Sequence, residues 1–166
     1  MKKYVLGIDP SSSSTGYAVL DIETKKVVDY GRIKAKADCP EEFYSLGKSL
    51  SEIYDKYKIT HVGCENQFIH INKSAGIKAT RPTGIVFYFS GMHGIKNDEF
   101  NFFAPASWRK LFNPLNDKDY SKKHTFELVN LRYPEFELKS FNADNDKADA
   151  IGIAHATYKF FYEENK

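Results

Sequence analysis

The sequence predicts an α/β domain: a five-stranded mixed sheet flanked by helices on both sides. Three strand-like segments come first and are joined closely enough to pair as hairpins, and later segments then alternate between helix and strand. The length of 166 residues, with 42% hydrophobic residues, is enough for one full core. We therefore expect residues 1–166 to form a single domain.

The first half of the chain contains four predicted strands and one helix. Apolar residues recur at helical spacing from Pro40 to Tyr57, and Pro40 with the two glutamates after it suits a first helical turn. The sequence ETKK favours a tight turn between the second and third strands. The predicted strands are Lys3–Asp9, Gly16–Asp21, Val27–Lys34 and Ile59–Glu65.

The second half is predicted to be mainly helical. Ser74–Lys96 is assigned as a helix, although Pro82 and several glycines oppose it. Glu99–Pro105 alternates like a strand. The remaining predicted helices are Ser107–Phe112, Lys122–Arg132 and Ala143–Glu163.

Several classes of protein do not fit the composition. No apolar run reaches the roughly 18 residues of a membrane span. We also expect no signal peptide, because MKK leads directly into a predicted strand without a small-residue cleavage site. Cys39 and Cys64 are the only cysteines and form no CxxC pair, which favours a reducing cytoplasm without structural zinc. The first loop also lacks the GxGxxG pattern of dinucleotide-binding proteins.

Basic residues are concentrated in two stretches, although the net charge is only +2. Residues 66–97 contain no Asp or Glu, and Arg109 to His124 form a second basic group interrupted by two aspartates. Such stretches are usually solvated surface, and they become functional where they border a site for phosphate. The basic residues of the first stretch are Lys73, Lys78, Arg81 and Lys96.

Four carboxylates lie where the predicted elements could bring them together. Asp9 and Glu65 each end a strand, and Asp146 and Asp149 are three residues apart, so they share one face of a helix. If the first and fourth strands are neighbours, the four side chains can form a ring of oxygen donors. Such a ring without His or Cys favours magnesium or manganese.

Each of these carboxylates also has a simpler interpretation. Asp9 could cap a turn, and Glu65 could lie on the surface. Asp144, Asp146 and Asp149 could stabilise the first turn of a helix through its dipole, without any metal. Like charges three residues apart on a helix are destabilising unless a cation offsets them. Taken together, the four residues favour the metal site.

Three motifs carry a resemblance to a known family. GIDPSSSSTGYAV, CENQF and NDKADAIGIAHA together resemble the RuvC family of Holliday junction resolvases, of the ribonuclease H-like (retroviral-integrase) superfamily. The resemblance spans almost the whole chain. It implies a ribonuclease H-like fold and a homodimer that resolves four-way DNA junctions by paired symmetric nicks. The implied cofactor is Mg²⁺, for which Mn²⁺ can substitute, with two ions at each site.

The resemblance also implies roles for particular residues. The quartet Asp9, Glu65, Asp146 and Asp149 would bind metal and be catalytic, and Phe68 would stack on bases at the opened junction. Lys110 and Lys122 would also be catalytic and would contact DNA phosphate near the site, with Lys123 as the alternative to Lys122. We further expect DNA contacts from Lys73, Lys78 and Arg81, and a dimer surface on Thr83–Ile95.

The sequence departs from the family pattern in the first loop. Ser11 stands where the family has glycine, and the four serines either offer hydroxyls to phosphate or form a polar turn. Only four of the 24 Lys and Arg residues are Arg, which is typical of an AT-rich genome such as that of a phage. The expected location is a bacterial cytoplasm, or that of the host if the gene belongs to a phage.

Two other functions remain open. One is a ribonuclease H-like nuclease acting on RNA–DNA hybrids or on branched DNA in general, and the other is a non-catalytic protein that binds branched DNA. An actin-like ATPase is excluded, because it needs two such domains and 166 residues are too few.

Overall fold

The computed structural model describes residues 2–66 and 73–164, apart from the side chains of residues 73–76. The helices of these ranges are all too short or too polar to cross a membrane. Strands and α-helices follow in the order β1 Tyr4–Pro10, β2 Ser14–Asp21, β3 Lys26–Lys34, α1 Pro40–Lys56, β4 Ile59–Glu65, α2 Lys73–Met92, β5 Phe100–Phe103, α3 Pro105–Phe112, α4 Lys122–Arg132 and α5 Phe141–Lys159.

The predicted elements are confirmed, with differences at their ends. Helix α2 ends at Met92 rather than Lys96, and Gly94 follows with a φ of +83°, a backbone conformation that favours glycine. Helix α3 begins at Pro105, because proline fits the first helical turn. Helix α5 continues beyond Lys159 as a π-helical turn, Phe160–Glu164.

The sheet is mixed and has the strand order β3-β2-β1-β4-β5. Strand β1 is central and pairs antiparallel with β2 and parallel with β4, so the first and fourth strands are neighbours as predicted. One row of residues crosses the sheet: Arg32 pairs with Gly16, and Gly16 pairs with Asp9. Glu65 continues this row, since it directly follows the residue of β4 that pairs with Ile8.

Apolar side chains cover both faces of the sheet. Leu6 and Ile8 belong to a cluster with residues of α1 and α2, whereas Val5 belongs to a second cluster with residues of α3, α4 and α5. Successive residues of a strand point to opposite faces. Asp9 therefore lies on the same face as Val5, the face that α5 covers.

Glycines allow α5 to lie very close to the sheet. A Cβ atom at Gly7 would overlap the backbone nitrogen of Ala154, and one at Gly16 would overlap the carbonyl oxygen of Asp146. These contacts are to backbone atoms, so they could be relieved only by moving the helix. The close packing brings the part of α5 that carries Asp146 and Asp149 against the end of β1.

Candidate active site

An acidic cleft of about 350 Å³ lies at the end of β1 and β4. Its lining includes Asp9, Glu65 and Asp146, together with Lys122 of α4 and part of the serine turn, residues 11–14 between β1 and β2. Asp9 and Glu65 are 4% and 6% exposed, and the neighbouring Asp149 is fully buried. Buried carboxylates are costly unless they are paired, so their partners determine what the cleft can do.

Asp9 lies at the centre of this group. Burial raises its pKa well above the ordinary value, and the carboxylates of Glu65, Asp149 and Asp146 raise it further. Lys122 opposes this effect. An ionised Asp9 therefore needs more positive charge than these neighbours provide.

Glu65 is held by helix α3. The indole Nε1–H of Trp108 donates a hydrogen bond of 2.7 Å to Oε2 of Glu65, and Nη2 of Arg109 lies 3.8 Å from the same oxygen. Burial nevertheless raises the pKa of Glu65. Trp108 is positioned by α5, where its ring packs on Gly152.

Asp149 contacts two cationic side chains. Nζ of Lys122 lies 2.9 Å from Oδ2, and Nη2 of Arg109 donates to the same oxygen at 3.5 Å. Its other oxygen, Oδ1, is buried and has no hydrogen-bond partner within residues 2–66 and 73–164. Burial raises the pKa of Asp149 despite these cations, and Asp149 in turn helps to raise the pKa of Lys122 although burial alone would lower it.

Asp146 has different surroundings, although it is only three residues away. Its Oδ2 accepts a hydrogen bond of 3.0 Å from the hydroxyl of Ser14 and lies 3.7 Å from Nη1 of Arg32. The two aspartates of α5 are thus held by separate parts of the protein: Asp146 by β2 and β3, and Asp149 by α3 and α4.

The donor chemistry of the cleft fits a hard divalent cation. The acidic side chains offer only carboxylate oxygens, and the Asp149 oxygen that has no partner in the described part of the chain is buried beside them. Within residues 2–66 and 73–164, however, no three His, Cys, Asp or Glu side chains are arranged, as they stand, to hold a metal ion. The predicted ring of four metal ligands stays a prediction; in this arrangement Lys122 and Arg109 lie against its carboxylates.

The predicted basic residues near the cleft fall in three different places. Lys122 contacts Asp149, whereas Lys123 is exposed and lies 4.0 Å from Glu127 on the outer side of α4. Lys110 is exposed and lines a separate cleft with Leu111. Successive residues of a helix differ in direction by about 100°, so it is Arg109, not Lys110, that reaches the carboxylates from α3.

The predicted DNA contacts on α2 pair with the loop before α1. Nζ of Lys78 lies 2.6 Å from Asp38, and Nη1 of Arg81 lies 3.0 Å from the same carboxylate. Phe68 and the side chain of Lys73 lie outside the described residues. Their roles in DNA binding stay predictions.

Sequence reasoning missed four residues that contact the acidic side chains. The composition held a signal for three of them, because Trp and Arg are rare in this chain, with one Trp and four Arg. The Trp and two of the Arg lie beside the acidic cleft. The missed residues are Ser14, Arg32, Trp108 and Arg109.

The fold and the cleft define a class. A mixed five-stranded sheet, with a carboxylate at the end of its central strand and a helix that brings two more to the same end, is a ribonuclease H-like nuclease fold. Residues 5–156 match the family described as Crossover junction endodeoxyribonuclease RuvC. The chain belongs to the RuvC family.

Proteins described as RuvC in several bacteria are similar to this chain. The RuvC of Legionella pneumophila strain Lens is 28% identical over 155 residues, which are 90% of this chain and 83% of the relative. The RuvC of Bdellovibrio bacteriovorus is 29% identical over 104 residues, 60% of this chain and 62% of the relative. The Thermus thermophilus RuvC solved with a Holliday junction substrate superposes with a TM-score of 0.72 at 17% identity, covering 95% of this chain and 94% of that one, so the two share a fold.

Proposed function

We propose that this protein is a metal-dependent endonuclease that resolves four-way DNA junctions by paired symmetric nicks. The observation that carries the proposal is the meeting of Asp9, Glu65, Asp146 and Asp149 at one end of the sheet, in a chain of the RuvC family. Residues 1–166 act as one nuclease domain in this proposal. It works in a bacterial cytoplasm, or in the host's if the gene belongs to a phage.

The cofactor in this proposal is Mg²⁺, replaceable by Mn²⁺, with two ions at each site. Asp9, Glu65, Asp146 and Asp149 would hold the ions, because carboxylates are the ligands that these cations prefer. When bound, the ions would activate a water molecule and stabilise the leaving oxygen. They would also offset the repulsion that raises the pKa of Asp9.

The basic side chains around the cleft hold the DNA backbone. Lys122 lines the cleft and its side chain is half exposed, so its ammonium group can move from Asp149 to a phosphate. Phosphate contacts of this kind make binding sensitive to salt. Further out, we assign phosphate contacts to Lys73, Lys78, Arg81, Lys110 and Lys123, and base stacking to Phe68.

A homodimer suits a junction with two-fold symmetry, because a C2 dimer presents two sites in matching orientation. Helix α2 supports this proposal with exposed apolar side chains: Tyr88 and Met92 are 61% and 62% exposed. The neighbouring Phe87 packs against Phe102 of the edge strand β5 and extends the same surface. We propose that this surface is the contact between the two subunits.

A cleavage assay on matched substrates tests the function. The purified protein is incubated with a labelled four-way junction, a linear duplex of the same sequence and an RNA–DNA hybrid, with Mg²⁺ or with EDTA. We expect symmetric nicks in the junction only, none with EDTA, and none for Asp9→Asn, which still binds the junction.

Other results would replace the proposal. Preferred cutting of the hybrid would make the protein a ribonuclease H. Binding of the junction without cutting by the wild type, in Mg²⁺ and in Mn²⁺, would make it a non-catalytic junction-binding protein.

A further inference from the structure

Ser14 has a contact that the proposed function does not explain. Its hydroxyl donates to Oδ2 of Asp146 at 3.0 Å, joining residues 132 positions apart. We propose that Ser14 is a positioning residue, which fixes the direction of the Asp146 carboxylate for the metal ion. This inference rests on the proposed function and assigns a role to part of the serine run.

The register of the sheet explains why Ser14 meets Asp146. Ser14 and Gly16 lie on the same face of β2, because they are two residues apart. The backbone carbonyl of Asp146 occupies the place that a side chain at Gly16 would fill. The absence of a side chain at Gly16 thus lets α5 approach until the carboxylate of Asp146 reaches the hydroxyl of Ser14.

The serine turn fixes the backbone from which Ser14 projects. Both the backbone N–H and the hydroxyl of Ser11 donate to the carbonyl oxygen of Ser14, each at 2.8 Å. The Ser11 hydroxyl also accepts a hydrogen bond from the N–H of Ser14 at 3.2 Å. These bonds close a polar turn, one of the two alternatives for the run, and hold Ser14 in place.

Arg32 completes the surroundings of Asp146. Its Nη1 donates to the carbonyl oxygen of Ala143 at 2.9 Å and lies 3.7 Å from Oδ2 of Asp146. The other oxygen, Oδ1, accepts from the backbone N–H of Lys147 at 3.0 Å. A carboxylate oxygen can accept more than one contact, so both oxygens keep room for a metal ion while their direction is set.

Ser14 is neutral, so its effect on the direction of the Asp146 carboxylate can be measured apart from any effect of charge. Removing its hydroxyl leaves the charge of the cleft unchanged, so a change in metal affinity reports on geometry. Partners that orient metal ligands typically affect metal affinity by about 10–100-fold. We expect Ser14→Ala to weaken Mn²⁺ binding about tenfold, and Ser14→Thr, which keeps a hydroxyl, to restore it.

The experiment measures free Mn²⁺ by electron paramagnetic resonance, without DNA and without cleavage. Ser12→Ala is the matched control, since Ser12 is exposed in the same turn and lies outside the lining of the cleft; its affinity should match the wild type. In an Asp146→Asn background, Ser14→Ala should have no further effect, because the group it orients has changed.

The Mn²⁺ affinities distinguish a wrong role for Ser14 from a wrong metal site. If Asp9→Asn binds Mn²⁺ as well as the wild type does, the metal site itself is wrong. If Asp9→Asn loses binding while Ser14→Ala keeps it, only the role of Ser14 is wrong. Ser14→Ala could also weaken Mn²⁺ binding as much in the Asp146→Asn background as in the wild type. That result would overturn the role of Ser14, because it would reflect a general change in the loop.

Discussion

Trp108 links Glu65 to α5, the helix that carries Asp146 and Asp149. Its indole Nε1–H donates a 2.7 Å hydrogen bond to Oε2 of Glu65, while its ring packs on Gly152 of α5. Trp108 is fully buried, and Glu65 is nearly so. One side chain therefore sets the position of a strand-end carboxylate relative to α5.

Trp108→Phe should remove this hydrogen bond and keep most of the packing. We expect junction cleavage to fall about 10–100-fold, because a proposed metal ligand loses the donor that orients it. Stability should fall by about 1–3 kcal/mol, the usual cost of leaving a buried group without its partner. Cleavage kinetics and urea unfolding measure the two effects.

Phe112→Leu is the control for Trp108→Phe. Phe112 is fully buried in the same apolar cluster, and its ring contacts His155 rather than a carboxylate. It should lose about 1 kcal/mol of stability and keep cleavage within about twofold of the wild type. Equal losses of cleavage in the two variants would contradict a specific role for the indole.

Asp9→Asn should make the metal-free protein more stable. Burial and three neighbouring carboxylates raise the pKa of Asp9, so its ionised form is destabilising near neutral pH, and Asn removes that charge. We therefore expect a higher melting temperature for Asp9→Asn than for the wild type. Thermal unfolding in EDTA measures it.

Asp9→Asn should also lose the stabilisation that Mg²⁺ gives the wild type. A ligand that binds only the folded state raises the stability of the protein. Asp55→Asn is the control, because Asp55 lies exposed on α1, and this variant should behave like the wild type in both solutions. A wild-type melting temperature that is the same in Mg²⁺ and EDTA would count against the metal site.

Lys122 and Lys123 should differ sharply, although they are adjacent. Lys122 contacts the buried Asp149, so Lys122→Ala should destabilise the metal-free protein by about 1 kcal/mol and lower cleavage at least about tenfold. Lys123 makes an exposed pair with Glu127, and such pairs contribute at most about 0.5 kcal/mol. Lys123→Ala removes only an outer phosphate contact, so its cleavage should fall much less than that of Lys122→Ala; the reverse order would assign the site to Lys123.

His155 should make the protein less stable in acid. It is buried on α5 and hydrogen-bonded to the hydroxyl of Tyr133 at 2.6 Å, and burial lowers its pKa to about 3. Below about pH 6.5 the unfolded chain binds a proton that the folded chain does not, so stability falls as the pH falls. The contribution of His155 to the free energy of unfolding is complete above pH 6.5. It decreases by about 1.4 kcal/mol per pH unit toward pH 3.

His155→Gln should remove this dependence, because glutamine does not titrate. The difference in unfolding free energy between the two proteins should change by about 2 kcal/mol between pH 7 and pH 5. Urea unfolding at both pH values measures it. Parallel curves would mean that His155 does not stay neutral in the folded protein.

The proposed dimer surface predicts a change in mass. Tyr88→Asp combined with Met92→Asp adds two charges one helical turn apart on α2, which should dissociate a homodimer into monomers with little effect on folding. Sedimentation equilibrium measures the result. Tyr44→Asp is the control, because Tyr44 is 76% exposed on α1 and should leave the dimer intact; a monomeric wild type would refute the dimer.

The meeting of Asp9 with Glu65 could be predicted from the sequence. Each residue ends a strand, and only the neighbouring positions of β1 and β4 had to be assumed. The shared helix of Asp146 and Asp149 followed from their spacing. These are local features, which hydrophobic patterning reports well.

The partners of the carboxylates could not be predicted in the same way. Arg32 reaches Asp146 because of the register between β2 and β3, which includes an irregularity beyond Val19. Arg109 rather than Lys110 faces the cleft because of how α3 rotates when Trp108 packs on Gly152. Lys78 and Arg81 pair with Asp38 because α2 lies beside the loop before α1. Each of these contacts depends on tertiary packing, which the local sequence does not encode.

The glycine contacts between α5 and the sheet also govern when activity can arise during synthesis. Asp9 is synthesised more than a hundred residues before Asp146 and Asp149, which lie on a helix that must then dock against Gly7 and Gly16. In the proposed function, the four carboxylates of the cleft therefore come together only after α5 has been synthesised and has docked on the sheet.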